Sequence, residues 1–169
     1  GGIRMNSGCF KKEFKDILIS IQLIDFEGAV RSIPANKISF NYRSIELPKD
    51  LIFLSATFKG KVKNSEEINN YMTELNTIKN MAQPTKIKTS GSTFKNPVNQ
   101  TDKKVWELIR SSVSQETSYG DAVISKKHAN FFVNKKNAKA SDMKSLINFV
   151  KKKVKDQTGI KLELEIVVV

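Results

Sequence analysis

The sequence has only one cysteine and one histidine in 169 residues. Cys9 has no partner for an internal disulfide, which is typical of a reducing compartment, so we expect a cytoplasmic location. Cys9 and His128 are too few ligands for a zinc centre, and we predict no metal site. The chain also lacks a run of about 18 apolar residues, so we predict no membrane span. No basic start followed by an apolar stretch marks a signal peptide.

Arginine is scarce as well. Four of the 29 basic residues are arginines and 25 are lysines, in a chain of net charge +12. Nucleic-acid recognition favours the planar fork of arginine and stacking on aromatic residues, whereas these lysines are scattered without interleaved aromatics. We interpret the charge as a solvated lysine-rich surface, part of which would favour a diphosphate, and we predict no nucleic-acid partner.

The apolar patterns predict an α+β fold. A β-hairpin is expected over residues 17–33, with its turn at Phe26-Glu27-Gly28, and a strand over 51–59. Helical spacing predicts three helices: one from residue 64 to about 81, one around 105–109, and one that ends at Gly159. Short strands are expected at 122–125 and 129–133, and a final strand at 162–169. We predict two domains, 1–62 and 63–169, with a boundary between residues 60 and 83.

One polar stretch is suited to presenting a reactive group. It reads Gly91-Ser92-Thr93-Phe94-Lys95-Asn96-Pro97 and is predicted to lie in a long loop. Gly91 allows backbone angles that other residues avoid, and Ser92 supplies a hydroxyl that donates and accepts protons. A Gly-Ser pair is also common in plain turns, so the stretch needs support from elsewhere in the chain.

That support comes from three further motifs in the same order along the chain: Tyr42-Arg43-Ser44, Ser125-Lys126-Lys127-His128-Ala129-Asn130-Phe131, and Leu162-Glu163-Leu164-Glu165-Ile166. Together they resemble the second half of UDP-N-acetylenolpyruvoylglucosamine reductase, a flavoenzyme of peptidoglycan precursor synthesis. The resemblance implies a β-rich remnant of an FAD-binding domain, followed by an α+β substrate-binding C-terminal domain. It also implies NADPH-dependent reduction of the enolpyruvyl group of UDP-N-acetylglucosamine enolpyruvate to UDP-N-acetylmuramate.

The resemblance assigns three catalytic residues. Arg43 would stabilise the enolic carboxylate, since a guanidinium stays charged and grips a carboxylate with its fork. Ser92 would act as the general acid that protonates carbon after hydride transfer. Glu165 would work with the arginine. Tyr42, Lys95 and Asn96 are the expected substrate-binding residues.

For FAD, the resemblance assigns Gly2, Ile3, Arg4 and Asn6, with NADPH as the co-substrate. It further implies that the family's upstream half is absent, so the chain is expected to be a fragment, and a separately encoded N-terminal half is one conceivable partner. The alternative is a non-catalytic nucleotide-sugar-binding remnant. His128 and Asn130 are expected to be structural, forming a hydrogen-bonded turn between two strands.

Overall fold

Apolar segments separated by turn residues make up the first part of the chain, and in the computed structural model, which describes residues 1–168, these segments form strands. The structure divides the chain into two units, Gly1–Asn64 and a second that begins at Ser65. The helices among residues 1–168 are too short or too polar to cross a bilayer.

The first unit is centred on a three-stranded antiparallel sheet. Its strands, with those of two small hairpins, are β1 (Gly8–Cys9), β2 (Lys12–Glu13), β3 (Leu18–Ile24), β4 (Val30–Pro34), β5 (Phe40–Asn41), β6 (Ser44–Ile45) and β7 (Ile52–Phe58). The main sheet has the order β4-β3-β7, and β1–β2 and β5–β6 are separate pairs. The predicted hairpin over 17–33 and the predicted strand over 51–59 are confirmed as β3–β4 and β7.

The turn of the β3–β4 hairpin follows from its residues. Gly28 has φ +88°, which a glycine adopts without strain. The carboxylate of Asp25 accepts hydrogen bonds from the main-chain N–H groups of Glu27 and Ala29. Central β3 then places Leu18, Ile21 and Leu23 in a small core.

The second unit packs helices against a four-stranded antiparallel sheet of order β8-β11-β10-β9. Its elements are α1 (Ser65–Ala82), β8 (Thr89–Ser92), α2 (Val105–Ser112), β9 (Ser118–Tyr119), β10 (Ala122–Ile124), β11 (Phe131–Asn134) and α3 (Ala140–Thr158). The three predicted helices are confirmed. Gly159 ends α3 in the left-handed conformation with φ +75°.

The core of the second unit lies around α2, α3 and the sheet. Its largest fully buried side chains include Phe94, Phe132, Leu108, Leu146 and Val154. Phe94 and Phe132 meet edge to face, with ring centroids 5.8 Å apart. This core fixes the segment that follows Ser92.

Two predictions about the second unit are wrong. Ser92 is not in a long loop, because Thr89–Ser92 pairs with β11 as strand β8. The final strand is also not formed over residues 162–168, where Leu164 makes only an isolated antiparallel bridge with Phe94. Val169, the last residue of that predicted strand, lies outside the described residues. One bridge stands in residues 162–168 where a ladder of strand pairs was predicted.

Candidate active site

Ser92 is held at the last position of β8. It pairs with Phe131 of β11, and the preceding Gly91 has φ +88°. A Cβ on Gly91 would meet nothing within 4 Å, so this position favours glycine for its backbone angle and not for space. The Ser92 side chain is half-buried at this bend.

Asn130 clamps the two residues that follow Ser92. Its Oδ1 accepts from the Phe94 N–H at 3.0 Å, and its Nδ2 donates to the Phe94 carbonyl at 2.8 Å. The Asn130 carbonyl accepts from the Thr93 N–H at 2.8 Å. Because Asn130 is buried, these bonds are shielded from water and hold the backbone closely. The structural role predicted for Asn130 is confirmed.

Glu165 is attached to the same segment from the other side. Its N–H donates to the Thr93 carbonyl at 2.9 Å, and the Lys95 N–H donates to the Glu163 carbonyl at 2.9 Å. Glu165 is half-buried, whereas Glu163 is exposed. Ser92 and Glu165 therefore lie on adjacent chain segments, joined through the main chain of Thr93.

Asn96 also has a local structural role. Its Oδ1 accepts a hydrogen bond of 3.0 Å from the N–H of Val105, the first residue of α2. Helix N-termini leave such N–H groups without intrahelical partners, so this contact ties the Ser92 segment to α2. Lys95 and Asn96 are both half-buried beside it.

Arg43 belongs to the first unit and is fixed by several contacts. It lies in the turn between β5 and β6 with φ +57°, a region unfavourable for residues that carry a side chain. Its Nη2 donates to the Gly8 carbonyl at 3.1 Å, and its Nη1 lies 3.8 Å from Oε1 of Glu13. The guanidinium also lies over the ring of Tyr42, 4.9 Å from its centroid. Arg43 is thus oriented before any ligand arrives.

The expected flavin residues form the first turn of the chain. Gly2 lies against the ring of Phe14, where a Cβ would come within 2.9 Å. Arg4 donates to the Pro48 carbonyl at 2.7 Å.

The fourth flavin candidate, Asn6, is fully buried. Its Nδ2 donates to Glu13 and to the Asn41 carbonyl, and its Oδ1 accepts from the Lys15 N–H. Its amide is therefore used inside the unit. Ser92, Lys95, Asn96 and Glu165 belong to the second unit, whereas Arg43, Tyr42 and the flavin candidates belong to the first.

The sequence interpretation missed a pocket in the second unit, which we call the Trp106 pocket. It has a volume of about 360 Å³ and is lined by Ala82, Trp106, Arg110, Gln115, Lys126, Lys127, His128 and Ala129. Trp106 and Arg110 are four residues apart on α2, a spacing that places two side chains on one face of a helix. The sequence shows that spacing. The turn at residues 126–128, which completes the pocket, lies further along the chain and reaches α2 only through the fold.

The turn that carries His128 is ordered by its own hydrogen bonds. Ser125 Oγ accepts from the N–H groups of Lys127 and His128, and His128 Nδ1 accepts from the Asn130 N–H at 3.3 Å. Burial lowers the pKa of His128 below its ordinary value, so the ring is neutral at pH 7. A neutral ring fits its role as an acceptor, and the structural role predicted for His128 is confirmed.

Comparisons with known proteins agree on one family. A family model described as UDP-N-acetylenolpyruvoylglucosamine reductase, C-terminal domain, matches residues 83–169. The chain is 63% identical over 166 residues to the UDP-N-acetylenolpyruvoylglucosamine reductase of Pelagibacter ubique (strain HTCC1062), covering 98% of this chain and 55% of that protein. For the protein of the same name from Rickettsia bellii (strain RML369-C), the identity is 46%, with 98% and 54% covered.

A solved structure agrees with these sequence matches. The crystal structure of UDP-N-acetylenolpyruvylglucosamine reductase from Thermus caldophilus is similar with a TM-score of 0.83 and 32% identity, covering 99% of this chain and 59% of that one. The chain spans about half the length of the curated relatives that it matches.

Proposed function

Because this chain belongs to the UDP-N-acetylenolpyruvoylglucosamine reductase family, we propose that it carries the substrate-reducing part of such an enzyme. The reaction is the NADPH- and FAD-dependent reduction of UDP-N-acetylglucosamine enolpyruvate to UDP-N-acetylmuramate, a step in making peptidoglycan precursors. The observation that carries the proposal is the attachment of Ser92 and Glu165 to one clamped segment of the second unit. An acid and a carboxylate on adjacent segments suit a reaction that moves a proton to carbon.

Ser92 is proposed as the proton donor. When one vinyl carbon of the substrate accepts a hydride, the electron pair of the double bond moves to the other carbon, which then takes the proton from Ser92 Oγ. The resulting alkoxide needs a stabilising neighbour, because a hydroxyl is a weak acid at neutral pH. Half-buried Lys95, three residues along the clamped segment, is the proposed source of positive charge.

Arg43 and Glu165 are proposed to stabilise the charge that develops on the enolpyruvyl group. The guanidinium of Arg43 would bind the substrate carboxylate, on which negative charge increases as the hydride arrives. Its contacts with Gly8, Glu13 and Tyr42 hold it in one orientation, so little reorganisation is needed during the reaction. The strained backbone at Arg43 supports a functional position, since such strain concentrates at active sites.

FAD, when bound, would supply the hydride after reduction by NADPH. The residues present fit part of this cofactor: Gly2, Ile3 and Arg4 would hold it through their main chain, in a turn that is fixed because Gly2 packs closely against the ring of Phe14. The buried amide of Asn6 would instead keep that turn in place, through its bonds to Glu13, Asn41 and Lys15.

The first test is the visible absorbance spectrum of the purified chain after incubation with FAD and desalting. A retained yellow chromophore supports the proposal that this chain binds flavin. A colourless protein contradicts catalysis by this chain alone. The same spectrum recorded with an added N-terminal half of a relative then tests whether a separately encoded partner restores flavin binding.

The second test is NADPH oxidation in the presence of the enolpyruvyl substrate. Ser92→Ala should lower kcat by about 10²- to 10⁴-fold, the usual contribution of a positioned acid. Ser90→Ala is the matched control, because Ser90 is an exposed hydroxyl in the same strand. Equal activity of the Ser92→Ala variant and the unmodified chain would refute the assignment of Ser92.

A second candidate is a nucleotide-sugar-binding remnant without turnover. It is favoured by Asn6, a flavin candidate whose side-chain amide is already used in hydrogen bonds inside the first unit. Calorimetric binding of the substrate to a colourless, inactive protein would support this candidate over the reductase.

A further inference from the structure

Helix α1 keeps its apolar side chains on the surface. None of its 18 residues, all of which the structure describes, is buried, whereas α2 and α3 each bury four residues. A contiguous apolar surface of this kind marks an interaction site. Its large members are 40–74% exposed: Ile68, Tyr71, Met72, Ile78 and Met81.

The apolar residues of α1 follow a heptad repeat. Ile68 and Leu75 occupy position a, and Tyr71 and Ile78 occupy position d, so the spacing is three, four and three residues. This spacing places all four side chains in one narrow stripe along the helix, which we call the α1 seam. Such a seam is typical of helices that pair with another helix as a coiled coil.

The charges of α1 are placed as in a coiled coil. Glu67 and Glu74 occupy position g and Lys79 occupies position e, so these charged residues flank the seam. A helix that only faces water would carry its charges on the side opposite its apolar stripe. Beyond the first turn, that opposite side has only uncharged residues: Asn70, Thr73, Asn76, Thr77 and Asn80.

The two flanks are complementary between helices and not within one. Glu74 and Lys79 lie five residues apart on opposite flanks, so they do not face each other in a single helix. Within residues 1–168, neither side chain forms an ion pair. In a parallel pair of α1 helices, Glu74 of each copy would meet Lys79 of the other, because position g contacts position e of the next heptad. An antiparallel pair would bring Glu74 against Glu74.

We propose that two copies of this chain associate through a parallel pair of α1 helices, joined along the α1 seam. This inference does not depend on the reductase activity. The seam is only about two heptads long, and interfaces below about 1,200 Å² are typical of weak complexes, so we expect a Kd on the order of 10–100 μM.

The experiment is sedimentation equilibrium of the full chain at about 1–500 μM, a range that brackets this Kd. The average mass should rise from that of one chain towards that of two. Ile78→Lys should weaken the association by at least about 100-fold, since each dimer would bury two ammonium groups in the seam. Thr77→Lys is the matched control, because it adds the same charge one residue away, outside the seam, and should change the Kd little.

A charge exchange tests the parallel arrangement. Glu74→Lys should weaken the association by about 4- to 30-fold, because two ion pairs become two like-charge contacts. The double variant Glu74→Lys with Lys79→Glu should recover the original Kd. A second double variant, Glu74→Lys with Lys144→Glu on α3, has the same net charge without the pairing and should stay weak. Far-ultraviolet circular dichroism checks that each variant keeps its helices.

Three outcomes would overturn the proposal. A single-chain mass at every concentration would exclude the dimer. If this monomer then formed a one-to-one complex with an added N-terminal half of a relative, the α1 seam would belong to that half instead. Equal Kd values for Ile78→Lys and Thr77→Lys would show that any dimer forms elsewhere, and recovery by both double variants would show that net charge, not the Glu74–Lys79 pairing, sets the affinity.

Discussion

The two units differ in how much apolar surface they bury. Among residues 1–168, fourteen hydrophobic residues form the buried core cluster of the second unit but only five that of the first, although the first has more than half as many residues. In the first unit Ile19, Val30, Ile52, Leu54 and Phe58 stay exposed on the main sheet. Since burial of apolar surface is the main source of stability, the first unit is expected to be the less stable.

The difference extends to the candidate residues. Ser92 is followed by two residues that a buried clamp holds against the core of their unit, whereas Arg43 bonds to Gly8 and Glu13 of a short hairpin. The positioning of Ser92 should therefore withstand perturbation better than that of Arg43.

The largest effect is expected from a cavity in the larger core. Leu146→Ala, at a fully buried site on α3, should lower the free energy of unfolding of the second unit by about 2–5 kcal/mol. Urea unfolding followed by tryptophan fluorescence reports on this unit, which contains the only tryptophan, and far-ultraviolet circular dichroism reports on both. Ile21→Ala is the matched change in the first unit. If both variants shift both unfolding signals equally, the two units unfold together, and the expected difference in their stabilities is wrong.

A loss of similar size is expected when the clamp is removed, because two buried groups lose their partner. Asn130→Leu leaves the N–H and the carbonyl of Phe94 without their partner, at a cost of about 1–3 kcal/mol for each group. Fluorescence-detected urea unfolding measures the loss. Asn137→Leu, at an exposed site, is the control and should change little. An unchanged midpoint for Asn130→Leu would show that the clamp does not hold the Ser92 segment.

Two glycines give a matched pair across the units. Gly28 and Gly91 both have φ +88°, and a Cβ on either would meet nothing within 4 Å. Changing either to alanine should cost about 1–2 kcal/mol through backbone strain alone. Only Gly91→Ala should also lower the rate of NADPH oxidation, because only Gly91 precedes the proposed acid. Equal rates for the two variants would mean that the angle at Gly91 does not set the position of Ser92.

The sequence predicted local structure better than the contacts between distant segments. The β3–β4 hairpin and the end of α3 depend on turn residues within a few positions, such as Asp25, Gly28 and Gly159, and both were predicted. The strand character of Ser92 depends on β11, some 40 residues later, which no local pattern reveals. The segment after Leu162 has a strand-like pattern, yet in residues 162–168 it bridges only at Leu164.

The candidate site shows the same limit. The candidates Ser92, Glu165 and Arg43 were assigned by resemblance to a family and not from any periodicity. Their surroundings, including the Asn130 clamp on Phe94 and the acceptance of the Val105 N–H by Asn96, arise from tertiary contacts. The Trp106 pocket was missed for that reason, since half of its lining comes from a turn remote from α2.

The smallest expected effect is a change with pH in the free energy of unfolding of the second unit. Burial lowers the folded-state pKa of His128, so below about pH 6.5 the unfolded chain binds a proton that the folded chain resists. The stability from this group is fully present above the unfolded pKa and is lost as the pH falls towards the folded value. The C2 proton of the single histidine, followed by NMR from pH 8 to pH 4.5, should titrate below 6.5. His128→Gln should reduce the fall in the midpoint of fluorescence-detected urea unfolding over the same pH range. A titration of the His128 ring at or above pH 6.5 would show that the ring is more solvated than its packing between Phe131 and Trp106 implies.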